Sequence, residues 1–196
     1  MVNRPNYDQL YEIAENQAGY FTAGQARQAG FSWERLSTNV KIGKFLRIAQ
    51  GVYRLVHFPG SPFEDLFVAW LRTAPNSVIS HQSALAVYNL SDVLPGEVHV
   101  IIPRSASRRH VGIQLHTNRL RPDEINTREG LSVTTVARTI ADVSASHLPE
   151  EQVRQAIQEA ISRGLATPEE LRIQAARHRG KMKLIVDQVV DTKMAA

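Results

Sequence analysis

The 196-residue sequence contains no cysteine. Disulfides, thiolate zinc sites and cysteine nucleophiles are thereby excluded. No apolar run approaches the ~18 residues of a membrane span. The opening Met1-Val2-Asn3-Arg4-Pro5 lacks the apolar centre of a signal peptide. A cytoplasmic protein without membrane contact is expected. A Gly-x-Ser-x-Gly nucleophile elbow is also missing. Two stretches have no acidic residue, Arg35 to Arg54 and Ile101 to Pro122.

What is present suits a folded chain. With 43% hydrophobic and 21% charged residues, a packed core can form and wholesale disorder is disfavoured. The formal charge is +4 and the sequence pI about 9.6. Such an excess attracts an anionic partner only where the cations cluster, so their positions matter more than their sum.

The N-terminal third alternates helix signals with breakers. Leu10, Ile13 and Ala14, joined by Tyr7 and Tyr11, give Tyr7 to Gln17 a helical stripe. Gly19 ends it. Thr22 is placed to cap a short helix over Ala23 to Ala29, and Gly30 breaks that helix. Ser32 is placed to cap a third, Trp33 to about Ile42, closed by Gly43. Phe45 to Ile48 and Val52 to Val56, joined through Gly51, read as a hairpin. Phe58-Pro59-Gly60-Ser61-Pro62 resists helix and strand alike and marks a boundary.

Beyond it the pattern is mixed. Helices are expected over Phe63 to Thr73, Ser80 to Tyr88, Val136 to Val143, Pro149 to Arg163, from Thr167-Pro168 onward, and over Lys183 to Val190. Strands are expected at Glu97 to Ile102, Gly112 to Thr117 and Leu131 to Thr135. The class is α+β. An N-terminal winged helix-turn-helix, residues 1–57, is followed by a mixed α/β C-terminal domain, residues 63–196.

A helix-turn-helix needs a small residue on its first helix, a glycine in the turn and an apolar anchor on its second. Ala26, Gly30 and Leu36 stand at these spacings, and Trp33 and Val40 extend the buried stripe from Leu36. The other face of the third helix then carries Arg35, Ser37, Thr38, Asn39 and Lys41, with Ser32 at its start. These side chains reach base edges and phosphates in a major groove. Lys44, Arg47 and Arg54 continue the cations through the hairpin, giving five Lys or Arg between residues 35 and 54. Glu34 reads a cytosine amino group or favours the helix N-terminus. Double-stranded DNA is the expected partner. A solvated basic helix, or a winged helix that binds protein, are the alternatives.

These residues resemble a known family. Gly19-Tyr20-Phe21-Thr22, Ala26-x-x-x-Gly30 and the run Lys44 to Leu55 are similar to the N-terminal segment of AbiEi-type antitoxins. Those proteins are transcriptional regulators of abortive-infection toxin-antitoxin systems. Ile79-Ser80-His81-Gln82-Ser83-Ala84-Leu85, Glu97 to Pro103 and Gly130 to Asp142 resemble later motifs of the same family. The resemblance implies a winged helix on an operator, often of inverted repeats, and repression of the chain's own operon. It implies a C-terminal domain that neutralises a nucleotidyltransferase-like toxin. A solitary regulator without a toxin is the alternative, since the chain is shorter at its C-terminus than many relatives.

The C-terminal domain offers no expected catalytic residue, metal or cofactor. Asp92, Glu97, Asp123, Glu124 and Asp142 lack the short repeated spacing of a nuclease metal site. His81 reads as a polar first-turn residue beside the cap Ser80. His99, His110 and His116 show no ligand spacing on one strand face. Arg104, Arg108, Arg109, Arg119 and Arg121 form a second basic patch, read as a solvated hairpin surface, as further phosphate contacts or as a docking surface for an acidic partner. A third, Arg172, Arg177, His178, Arg179, Lys181 and Lys183, is read as a solvated helix terminus or as another anion contact. Arg138 is expected to pair with Asp142, one helical turn on.

Overall fold

Asn6 starts the first helix, α1 (Tyr7–Glu15), its side chain accepting from the Gln9 N–H at 3.0 Å. The i, i+4 pair Leu10 and Ala14 is buried. The computed structural model describes residues 4–73, 76–90, 95–103, 111–178 and 181–194. The chain divides into two compact units, Met1–Ser77 with Glu129–Leu131, and Val78–Arg128 with Ser132–Ala196.

In the first unit, α1 leads into β1 (Tyr20–Thr22), a strand the periodicity does not announce. Three residues are too few for a period-2 signal. Thr22 closes a capping box with Gln25 on α2 (Ala23–Gln28). Ser32 caps α3 (Trp33–Lys41), accepting from the Arg35 N–H at 3.3 Å. Between these helices Gly30 takes φ +84°, and a Cβ there would lie 2.7 Å from the Arg4 carbonyl oxygen. Glycine is therefore required on both conformational and steric grounds.

The hairpin follows as β2 (Phe45–Ala49) and β3 (Val52–Leu55). The three strands form one antiparallel sheet in the order β1-β3-β2. Its helix-facing side supplies Phe21 and Phe45 to a core with Leu10, Ala26, Phe31 and Leu36. Phe21 meets Phe45 edge-on, ring centroids 5.1 Å apart. Each such buried aromatic contributes on the order of 1.5–3 kcal/mol.

The first unit does not stop at residue 57. Phe58 lies against Gly19, where an added Cβ would come within 2.4 Å of its Cγ, and its ring is 5.6 Å from Tyr11. Then α4 (Glu64–Arg72) packs on β1 and β3, and Phe67 stacks on Tyr20 with centroids 4.6 Å apart. The proline-rich segment is thus a turn inside a unit that extends to Ser77.

The second unit holds a five-stranded sheet of mixed direction. Its order is β6-β5-β4-β8-β7, made from β4 (Val78–Ile79), β5 (Val98–Ile101), β6 (Ile113–His116), β7 (Ile125–Arg128) and β8 (Leu131–Thr134). β4 runs antiparallel to β5 and parallel to β8, and β5 runs parallel to β6. β4 and β7 are not visible in the sequence pattern. The first has two residues, and Ile125-Asn126-Thr127-Arg128 lacks an apolar alternation.

The helices are α5 (His81–Tyr88), α6 (Val136–Ser144), α7 (Glu150–Ser162), α8 (Pro168–Arg177) and α9 (Met182–Met194). Their positions follow the expected ones. Val153, Ala156, Ile157 and Ala160 form the buried stripe of α7, and Thr167 with Glu170 closes a capping box on α8. The molecule is therefore mixed α+β.

Candidate nucleic-acid interface

On α3 a step of 100° per residue separates two faces. Leu36 is buried at 1% exposure and faces the core. Arg35, Ser37, Thr38 and Lys41 are exposed. Lys44, just past the helix, is exposed with its Nζ 5.3 Å over the ring of Tyr7. Among the described residues none of Arg35, Lys41 and Lys44 takes part in an ion pair.

Two residues depart from the expectation. Asn39 is not on the outer face. It is 4% exposed, its Oδ1 accepting from the Tyr7 hydroxyl at 3.1 Å and its Nδ2 donating to the Arg35 carbonyl at 2.8 Å. Three residues on from Leu36 is 60° from it on the helix, which puts Asn39 on the core side. Trp33, expected in the buried stripe, is 56% exposed, with the Arg27 guanidinium 5.7 Å over its ring. It lies one turn before Leu36 and packs under Arg27 instead of in the core of Phe31 and Leu36. Arg27 is an exposed cation of α2 that lies outside the basic run of residues 35 to 54. Only the α2–α3 turn brings it beside Trp33.

Ser32 spends its hydroxyl locally, on the Arg35 N–H and on Glu34. The hydrogen bond from Ser32 holds the Glu34 carboxyl below its ordinary range. Glu34 thus serves the helix N-terminus.

The hairpin separates its two arginines by the period of a strand. Arg47 pairs across to Tyr53, and Arg54 pairs across to Tyr20 and Leu46. Positions 53 and 54 point to opposite faces of the sheet. Arg47 is exposed. Arg54 is not free for a ligand. Its Nη1 lies 3.5 Å from the Glu64 carboxylate and 3.4 Å from the Tyr20 hydroxyl, with its side chain 14% exposed. Arg54 is a structural residue under α4, and its place in the basic face is corrected.

The second basic patch is only partly described. Arg104, Arg108 and Arg109 lie outside the described residues, as does His110. Arg119 is exposed, while Arg121 pairs with Asp123 at 3.1 Å. In the third patch, Arg172 pairs with Asp187 at 3.8 Å and Arg177 with Asp123 at 3.3 Å. Arg179 lies outside the described residues. Arg138 does meet Asp142, Nε to Oδ1 at 3.0 Å, and it also meets Glu124 at 2.8 Å. Burial pushes Asp142 up to about 6 against the pull of Arg138. Burial opposes ionisation of Glu124 too, yet its carboxyl is lowered overall by bonds from Gln174 and the Arg121 N–H and by the Arg138 charge. These two carboxylates converge on a guanidinium.

Three histidines that show no ligand spacing along one strand come together from separate elements. His81 on α5, His99 on β5 and His116 on β6 offer nitrogen atoms that all lie within 4.8 Å of one another. The His99 Nδ1 and the His116 Nε2 are 3.0 Å apart, and the rings of His81 and His116 stack at 3.7 Å. His81 is 5% exposed, and its Nδ1 lies 3.0 Å from the Ser80 hydroxyl. Ser80 makes no side-chain cap bond, so its expected role is replaced by this one. Burial lowers all three imidazoles, His81 to about 3 and His116 to about 4. Sequence spacing could not show the cluster, because three elements from separate parts of the chain contribute one residue each.

The N-terminal segment is similar to transcriptional regulators. More narrowly, residues 8–56 match the family model described as transcriptional regulator, AbiEi antitoxin. That span runs from α1 through the hairpin, about a quarter of the chain. A comparison with curated proteins finds none that matches. Among the described residues, no helix is long and apolar enough to cross a membrane.

Proposed function

We propose that this protein is a sequence-specific DNA-binding transcriptional regulator. Its first unit acts as a winged helix-turn-helix. α3 enters the major groove, and the β2–β3 hairpin is the wing that holds the phosphate backbone. The observation that carries this reading is the outer face of α3. Arg35, Ser37, Thr38 and Lys41 are exposed, no acid of that face competes beyond Glu34, and Lys44 and Arg47 continue the face into the hairpin. Exposed cations outside ion pairs have no carboxylate to give up on meeting phosphate and release counterions from it. The helix N-terminus adds its own attraction for phosphate.

The fuller role is a cytoplasmic autorepressor and antitoxin, with a nucleotidyltransferase-like toxin as its partner. It is supported by the family match over residues 8–56 and by the resemblance of the later motifs, Ile79 to Leu85, Glu97 to Pro103 and Gly130 to Asp142. A protein with this role silences its own promoter and relieves growth arrest when co-expressed with the toxin gene. A solitary regulator does only the first. Mobility-shift measurements on DNA upstream of the gene test the core of the proposal. R35A/K41A should lose specific binding by about a hundredfold or more, at roughly 1–3 kcal/mol for each good contact, with an unchanged circular dichroism spectrum. Unaltered affinity would sink it.

One observation favours a second reading. Trp33 and Ile42 are 56% and 60% exposed at the two ends of α3. Exposed apolar residues beside a basic face suit a protein partner. Loss of a captured partner in the same double variant, with DNA affinity intact, would select it.

A further inference from the structure

Three of the seven histidines of the chain meet at one point of the second unit. They come from the first residue of α5 and from neighbouring strands β5 and β6. We propose that His81, His99 and His116 bind a divalent transition-metal ion of the zinc type, with a fourth position left for water.

The distances suit such an ion. Two imidazole nitrogens on one tetrahedral zinc stand about 3.3 Å apart, given Zn–N bonds of ~2.0–2.1 Å. The His99 Nδ1 and His116 Nε2 are already 3.0 Å apart. The stacked rings of His81 and His116 must turn for their lone pairs to converge. That motion is about χ2, a broad and inexpensive torsion in histidine. An all-imidazole set selects zinc, cobalt, nickel or copper over magnesium or calcium.

The backbones that carry these ligands are held together. The Ser80 N–H donates to the His99 carbonyl at 3.0 Å, and the His99 N–H donates to the Ser83 hydroxyl at 2.9 Å. The Ile102 N–H donates to the His116 carbonyl at 2.8 Å. A ligand set anchored this way loses little entropy on binding. The Ser80 hydroxyl at Nδ1 of His81 leaves Nε2 of that ring for the ion, the outer partner that zinc-binding histidines usually have. His81 also takes φ +50°. A non-glycine residue in the left-handed region is strained, and such strain gathers at ligand clamps. Arg138, whose charge bears on His81, is itself paired with Glu124 and Asp142.

The test uses tag-free, full-length protein dialysed against chelator and then titrated with Co2+ and Zn2+. One ion per chain should bind, with the visible bands of four-coordinate cobalt. Zn2+ should displace the cobalt and raise the Tm by several degrees, through mass action on the folded state. H99Q and H116Q should abolish the cobalt bands and weaken Zn2+ binding more than about tenfold. H147Q, an exposed histidine outside the cluster, should leave both unchanged. His99 and His116 are both only half-buried, so if one variant fails to fold the other decides. The absence of a saturable site, or cobalt bands that survive H99Q, would overturn the proposal.

Discussion

The Tyr7 hydroxyl donates to Oδ1 of Asn39 over 3.1 Å, joining α1 to the inner face of α3. The amide of Asn39 turns back at the same time to the Arg35 carbonyl. Both ends of this side chain are therefore engaged inside the unit, which sets it apart from Ser37 and Lys41 on the same helix. N39A should lower stability by about 1–2 kcal/mol, the usual cost of losing such hydrogen bonds. Urea denaturation measures that loss. The folded fraction should retain its DNA sequence preference, checked by mobility shift against mutated operators. A changed preference with unchanged stability would return Asn39 to the groove.

Arg47 and Arg54 should behave differently although both lie on the hairpin. R47A should weaken binding to all sequences and reduce the slope of log K against log salt by about 1, the signature of one lost phosphate contact. R54A should leave that slope unchanged. It should cost about 1 kcal/mol or less through the partly exposed pair with Glu64, together with the packing of the arginine stem over Tyr20. Fluorescence anisotropy with labelled DNA across a salt series separates the two.

Trp33 and Arg27 form an exposed pair next to the start of α3. If this edge lies on the phosphate backbone, R27A should also reduce the salt slope by about 1. Stability should change by less than about 0.5 kcal/mol, as for a surface substitution without buried partners. An unchanged slope would place the pair outside the DNA footprint.

Arg138 holds two buried carboxylates, and its loss should be severe. R138M leaves Glu124 and Asp142 without a cation, each nearly excluded from solvent. Removing one member of a buried ion cluster costs about 3–5 kcal/mol. The triple variant R138M/E124Q/D142N should recover part of that loss, because no uncompensated charge remains. Chemical denaturation of the set checks this. Equal stability of single and triple variants would mean that the charges are not coupled.

The extent of the first unit can be tested with fragments. A fragment 1–56 exposes Tyr20, whose ring Phe67 covers, and removes the buried Leu66 and Phe67. Burial of each large apolar side chain is worth on the order of 1.5–3 kcal/mol. Fragment 1–77 should accordingly be more stable by several kcal/mol and bind DNA more tightly. Equal stability would show that α4 is dispensable.

The order of the helices and several of their caps are local properties of the chain. Thr22, Ser32 and Thr167 act within three residues of their own position, and the stripes of α1 and α7 repeat every three or four residues. Local chemistry of this kind is readable without a partner element. The exposed face of α3 is legible for the same reason, through Arg35, Ser37, Thr38 and Lys41.

Tertiary structure decided what depends on distant residues. Arg54 looks like Arg47 in the sequence. Only the pairing of β3 with β1, and the packing of α4, give it Tyr20 and Glu64 as partners. Asn39 is polar and reads as exposed until Tyr7 arrives from α1. Phe58 to Pro62 reads as a boundary until Phe58 packs on Gly19 and Tyr11. The histidines at 81, 99 and 116 are separated by eighteen and seventeen positions and meet only because β5 pairs with β6 and α5 packs on β5. A side chain's environment is set by whatever the fold places beside it, and for these residues those neighbours are remote in the chain.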